Sequence, residues 1–190
     1  MIIAQQKRQE NIAEYLLYLW QVEDLLRACN LDIDKVEKAV IGRYDVDDKT
    51  RNEIKDWYES LIKMMELENV RERGHIRVCH NVLIRLNDLH QQLLADQGRF
   101  PEYHADYYRT LPIIVQLRAS LPEQDRPSEL ETCFNALYGV MMLHLQGKEI
   151  SQDTAAAISQ ISHFIGLLAA YYKRDEEKPL FGDDLNDMDN

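Results

Sequence analysis

Glycine and proline are scarce in this 190-residue chain, at seven and five. No glycine-rich stretch is present, so no phosphate-cradling loop is expected, and no Gly-x-Ser-x-Gly turn offers a strained nucleophile. Cysteine is limited to Cys29, Cys79 and Cys133, odd in number and far apart, with no Cys-x-x-Cys spacing. That pattern implies neither a zinc knuckle nor a disulfide framework, and reduced thiols in a cytoplasm are the expectation. No His-x-x-x-His or His-Glu-x-x-His occurs, which removes the zinc-protease signature. There is no run of 18 or more apolar residues, so nothing is expected to span a bilayer. Behind Ile2 and Ile3 the chain turns polar from Gln5 to Glu10, which is not the apolar stretch of a secretory signal.

Clustered positive charge is missing as well. The net charge is −11 and basic residues are scattered, so the counterion release that drives nucleic-acid binding has no footprint here. Charge is also unevenly placed. Beyond Arg174, seven acids (Asp175, Glu176, Glu177, Asp183, Asp184, Asp187 and Asp189) stand against Lys178, a net of −6 that leaves −5 for the rest. Pro179 and Gly182 interrupt that stretch, and Leu180 and Phe181 are its apolar anchors near the helical region. A disordered or loosely docked acidic tail over 175–190 is expected.

What the chain has in quantity is helical periodicity. Ile12, Tyr15, Leu19, Val22, Leu26 and Cys29 recur at 3-4-3-4-3 spacing, which predicts a helix from about Gln5 to Ala28. A short helix over about Asp32–Ile41 follows an acidic cap. The next opens at Thr50 with Glu53 three residues on, the spacing of a capping box, and runs towards Gly74. Ile76, Cys79, Leu83, Leu86, His90 and Leu93 repeat the 3-4 seam in a fourth helix. Pro101–Ser120 forms a fifth, in which Pro112 predicts a kink or restart near Thr110 because it removes an intrahelical bond. Ser128 with Glu131 opens a sixth helix ending near Gln146, and Gln152–Lys173 forms a seventh. Gly42, Gly74, Gly98 and Gly147 fall where these helices should stop, since glycine enters the left-handed conformation without a Cβ clash. The fold expected is all-α: one antiparallel bundle of six to seven helices over residues 1–174, with the tail appended.

Function is less legible. Polar residues that fall on apolar faces are the candidates for a ligand pocket: Glu23 and Arg27 on the first helix, His80, Asn87 and His90 on the fourth, and His144 on the sixth. Glu23 and Arg27 are four apart and placed to pair. These groups either line a polar interior pocket or are satisfied core and boundary side chains. Glu72 and His75 give one Glu-x-x-His spacing, interrupted by Gly74, and His75 with Cys79 share a helical face. Two ligands do not make a site, so no metal and no cofactor is expected. Glu53, Asp56 and Glu59 read as a solvated face, and Cys79 beside His80 points about 100° away from it, so no catalytic residue is assigned.

The last helix carries a stripe of small residues, Ala155, Ser159, Ser162, Gly166 and Ala169, beside the apolar stripe of Ile158, Ile161, Ile165, Leu168 and Tyr172. Small side chains permit close approach of a second helix, from within the chain or from another subunit. With ten tyrosines supplying amphipathic contact area, a protein-interaction or scaffold role, with a protein partner or a homo-oligomer, is the expected function. A small-ligand-binding or enzymatic bundle built on the polar interior is the alternative.

The string Asn11-Ile-Ala-Glu-Tyr-Leu-Leu-Tyr-Leu-Trp-Gln-Val-Glu-Asp24 resembles the N-terminal segment of an uncharacterised bacterial family catalogued only as a domain of unknown function. The likeness extends over most of the chain, including the His75–Asn87 segment. The resemblance implies a soluble all-helical protein and brings no functional residues with it.

Overall fold

Helix start signals in this chain are short polar side chains followed by apolar periodicity, and the structure uses them repeatedly. A computed structural model describes residues 2–181. Its elements are α1 (Ile2–Glu10), α2 (Ile12–Ala28), α3 (Ile33–Ala39), α4 (Asp48–Leu67), α5 (Arg77–Ala95), α6 (Pro101–Ala119), α7 (Glu129–Leu145) and α8 (Gln152–Glu177). Short 3₁₀ turns lie at Ile41–Arg43 and Glu123–Asp125, and no strand occurs among the described residues. The all-α class holds.

The eighth helix comes from Asn11. Its backbone is extended (φ −155°, ψ 108°) and its side chain accepts from the Ala13 and Glu14 amides, so the expected first helix is divided into α1 and α2. Asparagine prefers this capping role to a helix interior because its side chain competes for backbone amides. Asp32 and Ser128 cap α3 and α7 as expected. At α4 the cap is Asp47, which accepts from the Thr50 amide, and not Thr50 itself. Of the kink or restart expected near Thr110, the restart is not made: α6 continues through Pro112. Pro112 is exposed, as is Tyr108, so water can meet the carbonyl that loses its amide.

Two of the four stop glycines adopt positive φ, Gly74 at +86° and Gly147 at +69°. Gly42 and Gly98 do not. Asn30, Leu31 and Asn69 enter the left-handed region instead, with φ between 56° and 58°.

Chain contacts gather into two compact units, Met1–Val82 and Leu83–Asn190. In the first, α1 packs on α2, and α3 packs on α4 and the 3₁₀ turn. Its interior includes Leu16, Trp20, Leu26, Ile41, Met65 and Ile76, each at most 1% exposed. Arg51 binds the connection between α3 and α4, its guanidinium donating to the carbonyls of Ile41, Tyr44 and Val46. In the second unit α6, α7 and α8 pack on one another around Tyr103, Ile114, Cys133, Phe134, Ile161 and Phe164, all fully buried.

The chain beyond Arg174 begins as helix, since α8 continues to Glu177. The Leu180 amide donates to Asp175 at 2.7 Å, Arg99 donates to the Leu180 carbonyl at 2.6 Å, and Phe181 packs on Phe100 at 5.3 Å. The rest of the expected tail, 182–190, lies outside the described residues.

Candidate functional site

Glu23 is 1% exposed on the inner side of α2, where an unpaired carboxyl would cost several kcal/mol. Its partner is not Arg27. Oε1 accepts from the Ile76 amide at 2.8 Å, and His75 Nδ1 donates to Oε2 at 2.5 Å. Trp20 stacks on the His75 ring at 4.3 Å, and the Cys79 thiol reaches Oε1 at 3.8 Å. Glu23 therefore caps the entry to α5, taking up an amide that precedes its first turn. Arg27 turns the other way, to Asp24 at 2.8 Å, to the Val70 carbonyl at 3.1 Å and to the Gly74 carbonyl. Both side chains of the expected pair thus hold the α4–α5 connection by different atoms. His80 is exposed.

In the second unit Asn87 is half-buried and donates to the Leu83 carbonyl of its own helix at 3.0 Å. His90 is 2% exposed, with Nδ1 at 2.6 Å from the Tyr103 hydroxyl and its ring edge-on to Tyr103, Tyr107 and Phe164. Burial pushes its pKa down to about 4, with the Glu129 carboxyl opposing. His90 is thus neutral packing at pH 7. His144 shares none of these contacts: it is exposed and lines a groove between α7 and α8. The six polar candidates each meet local partners or solvent. Within the first unit Glu23, Arg27 and His80 do not converge, and within the second neither do Asn87, His90 and His144.

A groove between α7 and α8 has a volume of about 740 Å³. Val140 and His144 come from α7, Ile150 from the turn, and Ala155, Ile158, Ser159, Ser162, His163, Gly166 and Leu167 from α8. Four of the five small-residue candidates, Ala155, Ser159, Ser162 and Gly166, are exposed along it. Ala169 is buried at 4% and belongs to the chain's own core. Among the described residues, the close crossing that this stripe permits is therefore not made at those four positions. α8 is also long and apolar enough, by length and composition, to cross a bilayer, although only 33% of its most apolar window is buried. That window tolerates Ser, Gln and His, which is why no uninterrupted apolar run announced it. The same helix supplies Ile161, Phe164, Ile165, Leu168 and Tyr172 to the interior of the second unit.

Periodicity did not single out the polar group that orients α8. Asp106, with a side chain 3% exposed, accepts on Oδ1 from Gln160 at 3.0 Å and Arg109 at 3.1 Å, with His163 Nε2 at 3.8 Å. Gln160 also donates to Thr110 Oγ1 at 3.0 Å, and Thr110 donates to the Asp106 carbonyl at 2.8 Å. Oδ2 of Asp106 is buried with no hydrogen-bond partner among the described residues. The buried face of α6 includes Tyr103, Asp106, Thr110 and Ile114, and the polar residues at two of these positions give no apolar signal.

Among the described residues no three His, Cys, Asp or Glu side chains gather as a metal centre requires. The Cys79 thiol is pushed up by burial and by the adjacent Glu23 carboxyl, and burial raises Cys133 to about 12. The thiolate is the reactive form, so both should resist N-ethylmaleimide in the native protein at pH 8 and react once urea unfolds it. Labelling of either at the rate of a free thiol in native buffer would contradict their burial.

The family described as Domain of unknown function (DUF4924) matches residues 1–179. No curated protein and no solved structure matches the chain.

Proposed function

We propose that this chain, which belongs to that family of domains of unknown function, is a partner-binding protein of the cytoplasm that receives an apolar helical surface in the α7–α8 groove. The observation that carries this reading is the exposure of Ala155, Ser159, Ser162 and Gly166 on a helix whose opposite face is fully engaged. A long helix with only a third of its apolar window buried leaves surface that burial elsewhere would stabilise. The groove walls are mostly apolar, with His144, His163 and the two serines as the groups able to orient a partner. Three buried free cysteines support a reducing compartment. The alternative of a polar catalytic interior has less support, because Glu23, Arg27 and His90 are already occupied by structural partners.

A photo-crosslinking amino acid placed at Ser159 in cells making the full chain tests the reading. Discrete adducts are expected, identified by mass spectrometry, absent when the label sits at exposed Gln92 on α5 and lost when Gly166→Trp fills the groove. Equal labelling from both positions, or none from Ser159, overturns it.

A further inference from the structure

We propose that His75 is a phosphoryl-accepting histidine, its Nε2 taking the group from a donor of the phosphoramidate class while Glu23 holds the ring from behind. The site lies within the first unit and does not draw on the α7–α8 groove.

The tautomer comes first. An ionised carboxylate only accepts hydrogen bonds, so His75 Nδ1, at 2.5 Å from Glu23 Oε2, carries a hydrogen. In the neutral ring the lone pair then belongs to Nε2. The Ile76 amide occupies the other carboxyl oxygen, so Glu23 serves both residues without conflict. Trp20 stacks on the ring at 4.3 Å and 13°, which fixes the ring plane. The His75 side chain is 26% exposed, and its Nε2 is unburied and has no hydrogen-bond partner among the described residues.

Such a nitrogen has few uses, and the surroundings choose among them. Metal ligation would need further donors, and among the described residues no three His, Cys, Asp or Glu gather. Cys79, the neighbouring nucleophile, is fully buried with its thiol turned to Glu23 Oε1. Attack on phosphorus needs a lone pair, room and a cation to meet the incoming charge. Arg71 is tied to Glu66 at 3.1 Å and Arg77 to Glu68 at 3.6 Å. Arg73, two residues before His75, is exposed and has no acid partner among the described residues, so its guanidinium can turn to a phosphate. Room lies along the same connection. A cavity of about 380 Å³ is lined by Arg27, Asn30, Leu31, Arg71 and Glu72, and Arg27 also donates to the carbonyl of Gly74, beside His75.

The transfer balances. The Nε2 lone pair forms the new N–P bond as the P–N bond of the donor breaks, and the amine leaves with that pair and takes a proton from water. The ring keeps its Nδ1 hydrogen and becomes cationic, a charge that the buried Glu23 carboxylate matches. Glu23 is thus a positioning residue whose hydrogen bond strengthens during the transfer.

The full chain incubated with potassium phosphoramidate, then mapped by mass spectrometry without acid, is the test. His75 should gain a phosphoryl group about tenfold faster than the exposed His80, His144 and His163, the effect of one charge-assisted hydrogen bond that tightens with the charge. In urea the four should react alike. Phosphorus NMR should place the group on Nε2. In Glu23→Gln, with the side-chain oxygen on the Ile76 amide, the side-chain nitrogen donates to Nδ1 and moves the ring hydrogen to Nε2, removing the nucleophile. Labelling of His75 should then fall to the His80 rate while Cys79 stays shielded from N-ethylmaleimide. Equal rates at the four histidines of the native chain overturn the inference, as does a Glu23→Gln chain that keeps both the preference and the shielded thiol. If that variant exposes Cys79, the isomer decides: phosphorus on Nδ1 of the native chain overturns the inference, and on Nε2 upholds it.

Discussion

Glu23→Ala is expected to destabilise the first unit by roughly 3 kcal/mol. The substitution strands the buried Ile76 amide, removes the acceptor of the Cys79 thiol, and releases the His75 ring on which Trp20 stacks. Each of the first two losses costs on the order of 1–3 kcal/mol when the remaining group stays buried, and partial collapse of the site recovers some of the total. Glu23→Gln should cost less than half as much, because its carbonyl oxygen can still accept from Ile76 while only the contact to His75 is compromised. Urea unfolding followed by the fluorescence of Trp20 and Trp57 reads both variants. Equal losses for alanine and glutamine would mean that the amide bond to Ile76 contributes little.

The second large effect is acid instability centred on His90. Its pKa is about 4 in the folded chain and near 6.5 in the unfolded one, so the folded form binds the proton less tightly. The contribution is full above pH 6.5 and is lost as pH falls through that window towards 4, where it amounts to about 3 kcal/mol. Protonation would place an unmatched charge among Tyr103, Tyr107 and Phe164, with only the Glu129 carboxyl in opposition. Because carboxyl groups elsewhere titrate in the same range, the informative quantity is the difference between wild type and His90→Gln. Stability of the wild type should fall more steeply between pH 7 and pH 4.5. Parallel curves for the two proteins would assign the loss to other groups.

The seams of the helices were the legible part of this chain. Every residue of the 3-4 repeat that begins at Ile76, just before α5, and runs along the helix to Leu93 is buried, and His90 sits among them as that repeat predicts. Periodicity reports the inward face of a helix and says nothing about what lies across from it. Hence Glu23 was found as an inward carboxyl, while its true partners, 52 to 56 residues away at His75, Ile76 and Cys79, were out of reach. Nearness in sequence suggested Arg27, which is drawn instead to two carbonyls of the connection before α5. Where the inward face itself carries polar groups the method reads only part of it: on α6 Tyr103 and Ile114 lie on the buried face, and Asp106 and Thr110 between them gave no apolar signal. Stop signals were half-informative for a related reason: asparagine and even Leu31 reach the left-handed conformation when the surrounding turn requires it. The small-residue stripe could be read from spacing, but only the packed chain distinguishes a stripe that is used internally from one left facing outward.

The hydrogen bonds from Gln160 to Asp106 and Thr110 have a bearing beyond stability. Apolar contacts alone would let a helix as alanine-rich as α8 roll about its long axis with little penalty, exchanging one shallow side for another. Two directional bonds at a single amide forbid that roll, because a turn of one residue, about 100°, would carry Gln160 off its acceptors and into hydrocarbon. The azimuth of the helix is keyed by one carboxamide, and with it the choice of which side chains the protein shows to its surroundings.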